Sequence, residues 1–329
     1  MTTADLDVPR TLSQVYSPAD KAFRRSASSI GWFVLVLTGS IGLFLGYQAI
    51  PTLRRYGLNF FTENQWLPQQ DIVGLSAVLL GTVEVALVAL AVGFPLALLT
   101  AVYISEYAPI RVKSTLIALI DLMAAVPSII YGLWGGFLLQ PQTIHVSRWL
   151  AQHFDWFPVF HVDTNANSAS WAQTKFTASA FIAGLTVSMM VIPLACAVMR
   201  GVFAQAPLGE REAALALGAT RWGMIRTVVL PFGQGGIIGG TMLALGRALG
   251  ETVAVLLIIS PQFDLKINIL SVGTETTSAL IAGLFGEASS SQLSALLTAG
   301  FVLFVLTLAV NTVAAVFVNR SRSGAATEI

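Results

Sequence analysis

Charge is scarce in this chain. Asp, Glu, Lys and Arg make up 11% of its 329 residues, against about 25% in a soluble domain. That shortage excludes an ordinary water-soluble protein. Cysteine is nearly absent: Cys196 stands alone inside an apolar run, so there is no disulfide framework. The four lysines, Lys21, Lys113, Lys175 and Lys266, never follow a glycine. The phosphate-cradling loop of nucleotide hydrolases needs Gly-Lys-Ser/Thr, and no nucleotide-binding domain fits between the apolar runs. The chain is therefore expected to have no ATPase site of its own. It also lacks a recognisable catalytic triad or metal cluster. His145, His153 and His161 fall in one polar loop. Their loose spacing, without a Cys or Glu pattern, reads as loop surface rather than a zinc site. A formal net charge of +1 carries no nucleic-acid footprint.

What is present is apolar. Hydrophobic residues make up 55% of the chain. Residues 30–50 form a run of about the 20 residues a membrane helix needs. A signal peptide has a shorter apolar core and a small-residue cleavage site, so this run reads as a retained first helix. Five more follow: 71–107, with Pro95 as a kink; 114–139, kinked near Pro127; 176–203, with Pro193; 235–260; and 293–318. The fold class expected is an all-α integral membrane protein with six transmembrane helices.

Between the helices lie an outside loop at 51–70, with Phe60, Phe61 and Trp66 as interface anchors, and a short inside loop at 106–113. Further outside loops are expected at 140–175 and 261–292, the second holding a short interfacial helix near 278–285. Residues 1–27 and 321–329 read as cytoplasmic tails. Residues 28–320 read as the membrane domain, with a cytoplasmic segment at about 204–230.

Lysine and arginine decide the orientation. One set of connecting segments holds twelve: Arg10, Lys21, Arg24, Arg25, Arg111, Lys113, Arg200, Arg211, Arg221, Arg226, Arg320 and Arg322. The other holds five: Arg54, Arg55, Arg148, Lys175 and Lys266. The richer side is the cytoplasm, which puts both termini inside.

Of the ionisable groups within the apolar runs, four lie away from the run ends. Glu84 lies about 30 Å of helix from Ile104 and is expected near the outer boundary, where a carboxylate costs little. Asp121 is deeper, and reads first as a buried structural hydrogen-bonding group. Arg247 falls at the middle of the fifth run, with Glu251 one turn further on. An arginine at a helix centre costs about 2.5–3.5 kcal/mol on insertion scales, so it should not face lipid. At 100° per residue Gly236, Gly240, Leu243, Glu251 and Ala254 share its face, and their small members leave room beside a guanidinium. That planar fork suits phosphate oxygens. A structural ion pair between Arg247 and Glu251 is the plainer alternative. Gly235-x3-Gly239 and Gly246-x3-Gly250 read as close-packing surfaces.

The water-side segment before the fifth run carries Glu212-Ala213-Ala214, three residues, Gly218, nine residues, then Val228-x-Leu230-Pro231. Small alanines let a short helix lie close to a partner, Gly218 suits a left-handed cap, and Pro231 suits a helix start. This spacing resembles the signature of binding-protein-dependent ABC importer permeases, with Val228 where isoleucine is usual. Gly246-Arg247-Ala248-Leu249-Gly250-Glu251-Thr252 resembles the corresponding helix of phosphate importer permeases of the PstC type. So do Gly81-Thr82, the run from Ala124 to Gly132, Val198-Met199-Arg200, and Thr277-Ser278-Ala279-Leu280. The likeness runs from about residue 57 to residue 318.

The resemblance implies a type I ABC importer permease fold. It implies that Glu212, Ala213, Ala214, Gly218, Leu230 and Pro231 couple the chain to ATPase subunits, and that Arg247 and Glu251 line the phosphate path. The partners implied are a second permease of the PstA type, two ATPase subunits of the PstB type that hold the ATP, and an extracytoplasmic phosphate-binding protein, all at the prokaryotic plasma membrane. A permease for sulfate or molybdate, an ion-driven carrier and a membrane-embedded sensor stay open as alternatives. The Arg-x3-Glu pair argues against the first, and the Glu-Ala-Ala segment against the second.

Overall fold

The computed structural model describes residues 17–162 and 173–321. Most of the two expected tails, with Arg10 and Arg322, lies outside the described residues. The chain divides into two compact units, residues 1–47 and 48–329. Helix α1 (Pro18–Tyr56) supplies the described part of the first unit and opens the second. It passes through Pro51, so the polar stretch expected as loop from residue 51 begins as helix.

The second unit continues with α2 (Asn59–Thr62) and an antiparallel hairpin, β1 (Trp66–Leu67) and β2 (Ile72–Val73). Trp66 pairs with Val73 and Leu67 with Ile72. Asp71 turns the hairpin at φ 62°. Its carboxylate accepts the Tyr56 hydroxyl at 2.6 Å and the Arg55 guanidinium at 2.8 Å. Those two contacts, Tyr56 first, hold its pKa below the usual carboxylate range.

Helix α3 (Ser76–Tyr107) packs on α6 (Ala180–Phe203) as the centre of the core. Glycines set the approach: a Cβ at Gly184 would lie 2.5 Å from Val88, and one at Gly93 would lie 3.1 Å from Val191. Between them come α4 (Ile110–Ala125) and α5 (Ser128–His153), bent by 91° at Pro127. The expected kink is thus nearly a right angle. Helix also covers residues 140–153, which the polar composition had suggested as loop. Ser179 caps α6 by accepting from the Ile182 amide at 3.4 Å.

After α6 come α7 (Leu208–Ala216), α8 (Arg221–Phe232) and α9 (Gln234–Leu249), the last two bent by 68°. Short α10 (Val253–Leu256), α11 (Thr277–Leu284) and α12 (Ser290–Ser321) complete the chain. Among the described residues four helices, α1, α3, α6 and α12, are long and apolar enough to cross a membrane. The two bent pairs raise that to six if each is one span.

Three π turns, Tyr103–Tyr107, Gly135–Leu139 and Ile225–Val229, share a sequence context. Each ends two residues before a proline: Pro109, Pro141 and Pro231. Proline lacks an N–H and its ring clashes with the carbonyl four residues back. For Pro141 and Pro231 those carbonyls belong to Phe137 and Thr227, and the π turn widens the helix where the clash would fall; Pro109 follows extended Ala108, after α3 has ended.

The fifth run departs most from expectation. It was read as one helix over 235–260, but α9 ends at Leu249. Gly250 and Glu251 form a turn closed by Gly250 N–H to Arg247 O at 3.2 Å. Residues 257–276 are irregular or turn, apart from an isolated bridge between Ser179 and Val272. The apolar residues there cover protein rather than span: a Cβ on Gly132 of α5 would lie 2.8 Å from the Ala254 Cα, and one on Gly135 would lie 2.7 Å from Ile258.

Candidate functional site

The helix break changes the geometry of Arg247 and Glu251. Arg247 sits in the last turn of α9 rather than mid-helix. A cation there is favoured by the carbonyl end of the helix dipole. Its side chain is exposed in the single chain, and no described residue gives it an ion pair or hydrogen bond. Glu251 lies beyond the helix end and is buried at 8% exposure. Its carboxylate faces the start of α10, 3.5 Å from the Ala254 amide. Its carbonyl accepts the Ser278 hydroxyl at 2.7 Å. Pairing one turn apart needs a continuous helix, and Gly250 ends it, so the expected Arg247–Glu251 pair is not formed here.

Gly236 and Gly240 do not clear space for the guanidinium either. A Cβ on Gly236 would lie 2.5 Å from Val202, and one on Gly240 would lie 3.0 Å from the Ala195 carbonyl. These two glycines seat α9 on α6. The close-packing Gly-x3-Gly is therefore 236/240, one residue on from the 235/239 pair read from the sequence. A Cβ on Gly239 would meet nothing within 4 Å.

A polar seam joins this region to α3. The Thr82 and Thr277 hydroxyls are 3.0 Å apart, and Thr82 accepts from the Thr277 amide at 2.9 Å. Gly81 leaves room for the Glu275 carbonyl, 2.3 Å from where its Cβ would be. Glu84 is buried by the protein, and its Oε1 has no partner among the described residues. Glu275, buried at 3% exposure, was not singled out from the sequence. It lines a cavity of about 510 Å³ with Trp66, Leu256, Phe263 and Glu287. Two carboxylates and no cation line that cavity, which makes it a poor host for an anion. Asp121 is 57% exposed and stands 3.8 Å from Arg200 of α6, a pair at long range rather than a buried hydrogen bond.

The Glu-Ala-Ala segment forms α7. Gly218 takes φ +86°, and two bonds close the helix end: Gly218 N–H to Leu215 O at 3.0 Å and Ala219 N–H to Ala214 O at 3.1 Å. That is the paired bonding of a left-handed glycine cap. Thr220 then caps α8 by accepting from the Gly223 amide at 3.1 Å. Glu212 and Ala213 are exposed, while Ala214 packs partly on the core. Leu208 and Leu215, seven residues apart on one face of α7, are exposed at 68% and 47%, and Leu217 just beyond its end at 89%, apolar surface that suits a protein partner. Leu230 packs partly on the core. Pro231 lies just before the bend between α8 and α9, rather than opening the next helix.

The carbonyl end of α3 meets this segment through Glu106. Its side chain is 4% exposed and pairs with Arg211 of α7 at 3.1 Å. Beside it, the Arg221 guanidinium lies 5.2 Å from the centre of the Tyr107 ring, within cation–π range. Sequence reasoning placed Glu106 in a loop and missed this contact. No local signal joined the two, since Glu106 and Arg211 are 105 residues apart in sequence.

Comparison with known proteins adds to this geometry. Residues 93–323 match the family described as "Binding-protein-dependent transport system inner membrane component". The sequence is 37% identical over 321 residues, 95% of this chain and 97% of the relative, to "Phosphate transport system permease protein PstC 2" of Mycobacterium tuberculosis. It is 36% identical, over 88% of this chain and 89% of the relative, to "Probable phosphate transport system permease protein PstC" of Methanocaldococcus jannaschii. Among solved structures, a bacterial ABC transporter for import of the polysaccharide alginate superposes with TM-score 0.54 at 17% identity, over 91% of this chain and 95% of that one. That likeness concerns the fold.

Proposed function

Since the chain belongs to the binding-protein-dependent inner membrane transport components, we propose that it is the membrane-spanning permease subunit of an ATP-driven inorganic phosphate importer. The observation that carries the substrate is the likeness over 95% of its length to a phosphate transport permease. The chain is a multi-pass protein of the prokaryotic plasma membrane. In this reading each bent pair is one span, which gives six, with both termini and α7 in the cytoplasm. Residues 1–27 and 321–329 are then cytoplasmic tails.

A second permease of the PstA type completes the pathway. Two ATPase subunits of the PstB type bind and hydrolyse the ATP, and this chain carries no ATPase site. An extracytoplasmic binding protein delivers phosphate. The exposed apolar surface at α7 docks on one ATPase, with Glu212, Ala213, Ala214 and Gly218 at the contact and Leu230 and Pro231 behind it. ATP-driven closure of the ATPases shifts α7, opens the pathway outward and receives the anion; resetting exposes it to the cytoplasm.

Arg247 is the transient anion site. Its guanidinium offsets the hydration a crossing anion loses, and exposure leaves it available to both permeases. Passage also requires release, so the site should be weak. Glu251 acts from behind: its buried carboxylate holds the α9–α10 break and so fixes where Arg247 points.

Labelled phosphate uptake by liposomes holding all four subunit types tests the reading. Uptake should require ATP and the binding protein, and excess sulfate or molybdate should not compete. Uptake without ATP would make the chain an ion-driven carrier, and competition by sulfate would change the substrate.

Orientation has a separate test. After Cys196→Ser, a cysteine at His161 should react on intact cells with a membrane-impermeant thiol reagent, and one at Ala216 should react only after lysis. The opposite pattern would reverse the topology.

A further inference from the structure

The buried contact between α3 and α7 has no part in holding phosphate, and no part of α7's exposed face. Glu106 is the penultimate residue of α3, inside the π turn Tyr103–Tyr107. Arg211 Nη1 lies 3.1 Å from Glu106 Oε1 and donates to Oε2 at 3.2 Å. The Ser105 hydroxyl donates to Glu106 Oε1 at 2.7 Å. A second guanidinium nitrogen of Arg211 donates to the Phe203 carbonyl, at the end of α6. One long side chain on α7 is thus fixed to the inner ends of both core helices. Arg211 Nε is buried without a partner, so the guanidinium is held by the Glu106 charge rather than by a complete set of hydrogen bonds.

We infer that the Glu106–Arg211 pair is the latch through which movement of α7 is passed to α3, and that Glu106 is a positioning residue for transport. Three observations support this. First, the pair is largely withdrawn from solvent, with the Glu106 side chain 4% and the Arg211 side chain 17% exposed. Losing one partner strands a buried charge, so the helices gain by moving together. Second, it sits in a π turn, a widened stretch of helix that often marks a functional site. The adjacent Tyr107–Arg221 contact ties the same turn to α8. Third, α3 leads on from there. About 36 Å of helix separates Glu106 from Thr82, which bonds to Thr277, next to the Ser278 that holds Glu251. A shift of α7 therefore reaches the break behind Arg247 along one helix. Exposed residues of α7 grip the ATPase, and this buried pair delivers the motion.

The inference rests on the coupling role proposed for α7, so the experiment separates the two. Reconstituted four-subunit complexes carrying Glu106→Gln are assayed in parallel for ATP hydrolysis, stimulated by phosphate-loaded binding protein, and for phosphate uptake. Glutamine keeps the shape and removes the charge. The expected result is an assembled complex that hydrolyses ATP at close to the native rate. The ATP used per phosphate imported should rise about tenfold, within the usual range of coupling between sites.

Glu106→Asp keeps the charge but shortens the reach, and should give a smaller rise. If Glu106→Gln does not assemble, Glu106→Asp decides alone. A native ratio in the variant that assembles overturns the latch. So does a parallel fall of assembly, hydrolysis and uptake in both variants, which would make the pair purely structural. A native complex with no ATP-dependent uptake overturns the transport reading and takes the latch with it. An active native complex beside variants of unchanged ratio overturns the latch only.

Discussion

Arg247→Gln is expected to reduce phosphate uptake by about a hundredfold while leaving assembly and ATPase binding intact. The magnitude follows from two charge-assisted hydrogen bonds to the anion at roughly 1.5 kcal/mol each. The selectivity of the effect follows from position. Arg247 is exposed at the end of α9 and makes no ion pair with a described residue, so its removal leaves no stranded partner. Glu251→Gln should behave differently. Glu251 is buried against the start of α10 and beside Ser278, so the variant should loosen the break and lower uptake through the position of Arg247. Uptake by the double variant Arg247→Gln with Glu251→Gln separates these readings. Recovery to the native rate would make the two residues a structural pair and move the anion path elsewhere. Uptake as low as in Arg247→Gln alone supports the anion site.

Gly218→Asp is expected to release the ATPase subunits during purification. The glycine holds φ +86°, a region costing other residues about 1–2 kcal/mol. A Cβ there would meet no atom within 4 Å. The strain is therefore confined to the backbone of the cap and does not reach the core. Aspartate tolerates the left-handed region better than most residues, so α7 should persist while its end is reoriented. A new carboxylate also lands beside Leu217, itself exposed at 89%. Co-purification of the variant with undiminished ATPase, and normal stimulated ATP turnover, would count against α7 as the docking helix.

The sequence exposed some of this geometry directly and concealed the rest for identifiable reasons. The runs that became α1, α3, α6 and α12 were legible because length and apolarity suffice to define a span. Gly218 was legible because a left-handed cap has a local requirement. The third run was placed, but its 91° bend was not, since proline reports that a helix is interrupted and not by how much. The fifth run misled most. Residues 253–259 are as apolar as a span, yet they cover the glycines of α5, and burial by protein and burial by lipid select the same residues. Reading Arg247 as mid-helix followed from that error, and so did its pairing with Glu251. Glu106 and Glu275 were missed because their partners, Arg211 and the Gly81 region, lie far away in sequence, with no local pattern to join them.

Helix α4 has a consequence for the life history of the chain. None of its residues is buried, although it belongs to a pair apolar enough to span. It carries Asp121, more than half exposed, and an aspartate at mid-membrane costs about 3 kcal/mol on insertion scales. A newly inserted copy therefore presents an uncovered helix with a carboxylate on it until another protein surface arrives. In the proposed complex the second permease supplies that surface, so copies of this chain expressed without it are expected to turn over faster in a pulse–chase than copies expressed with it.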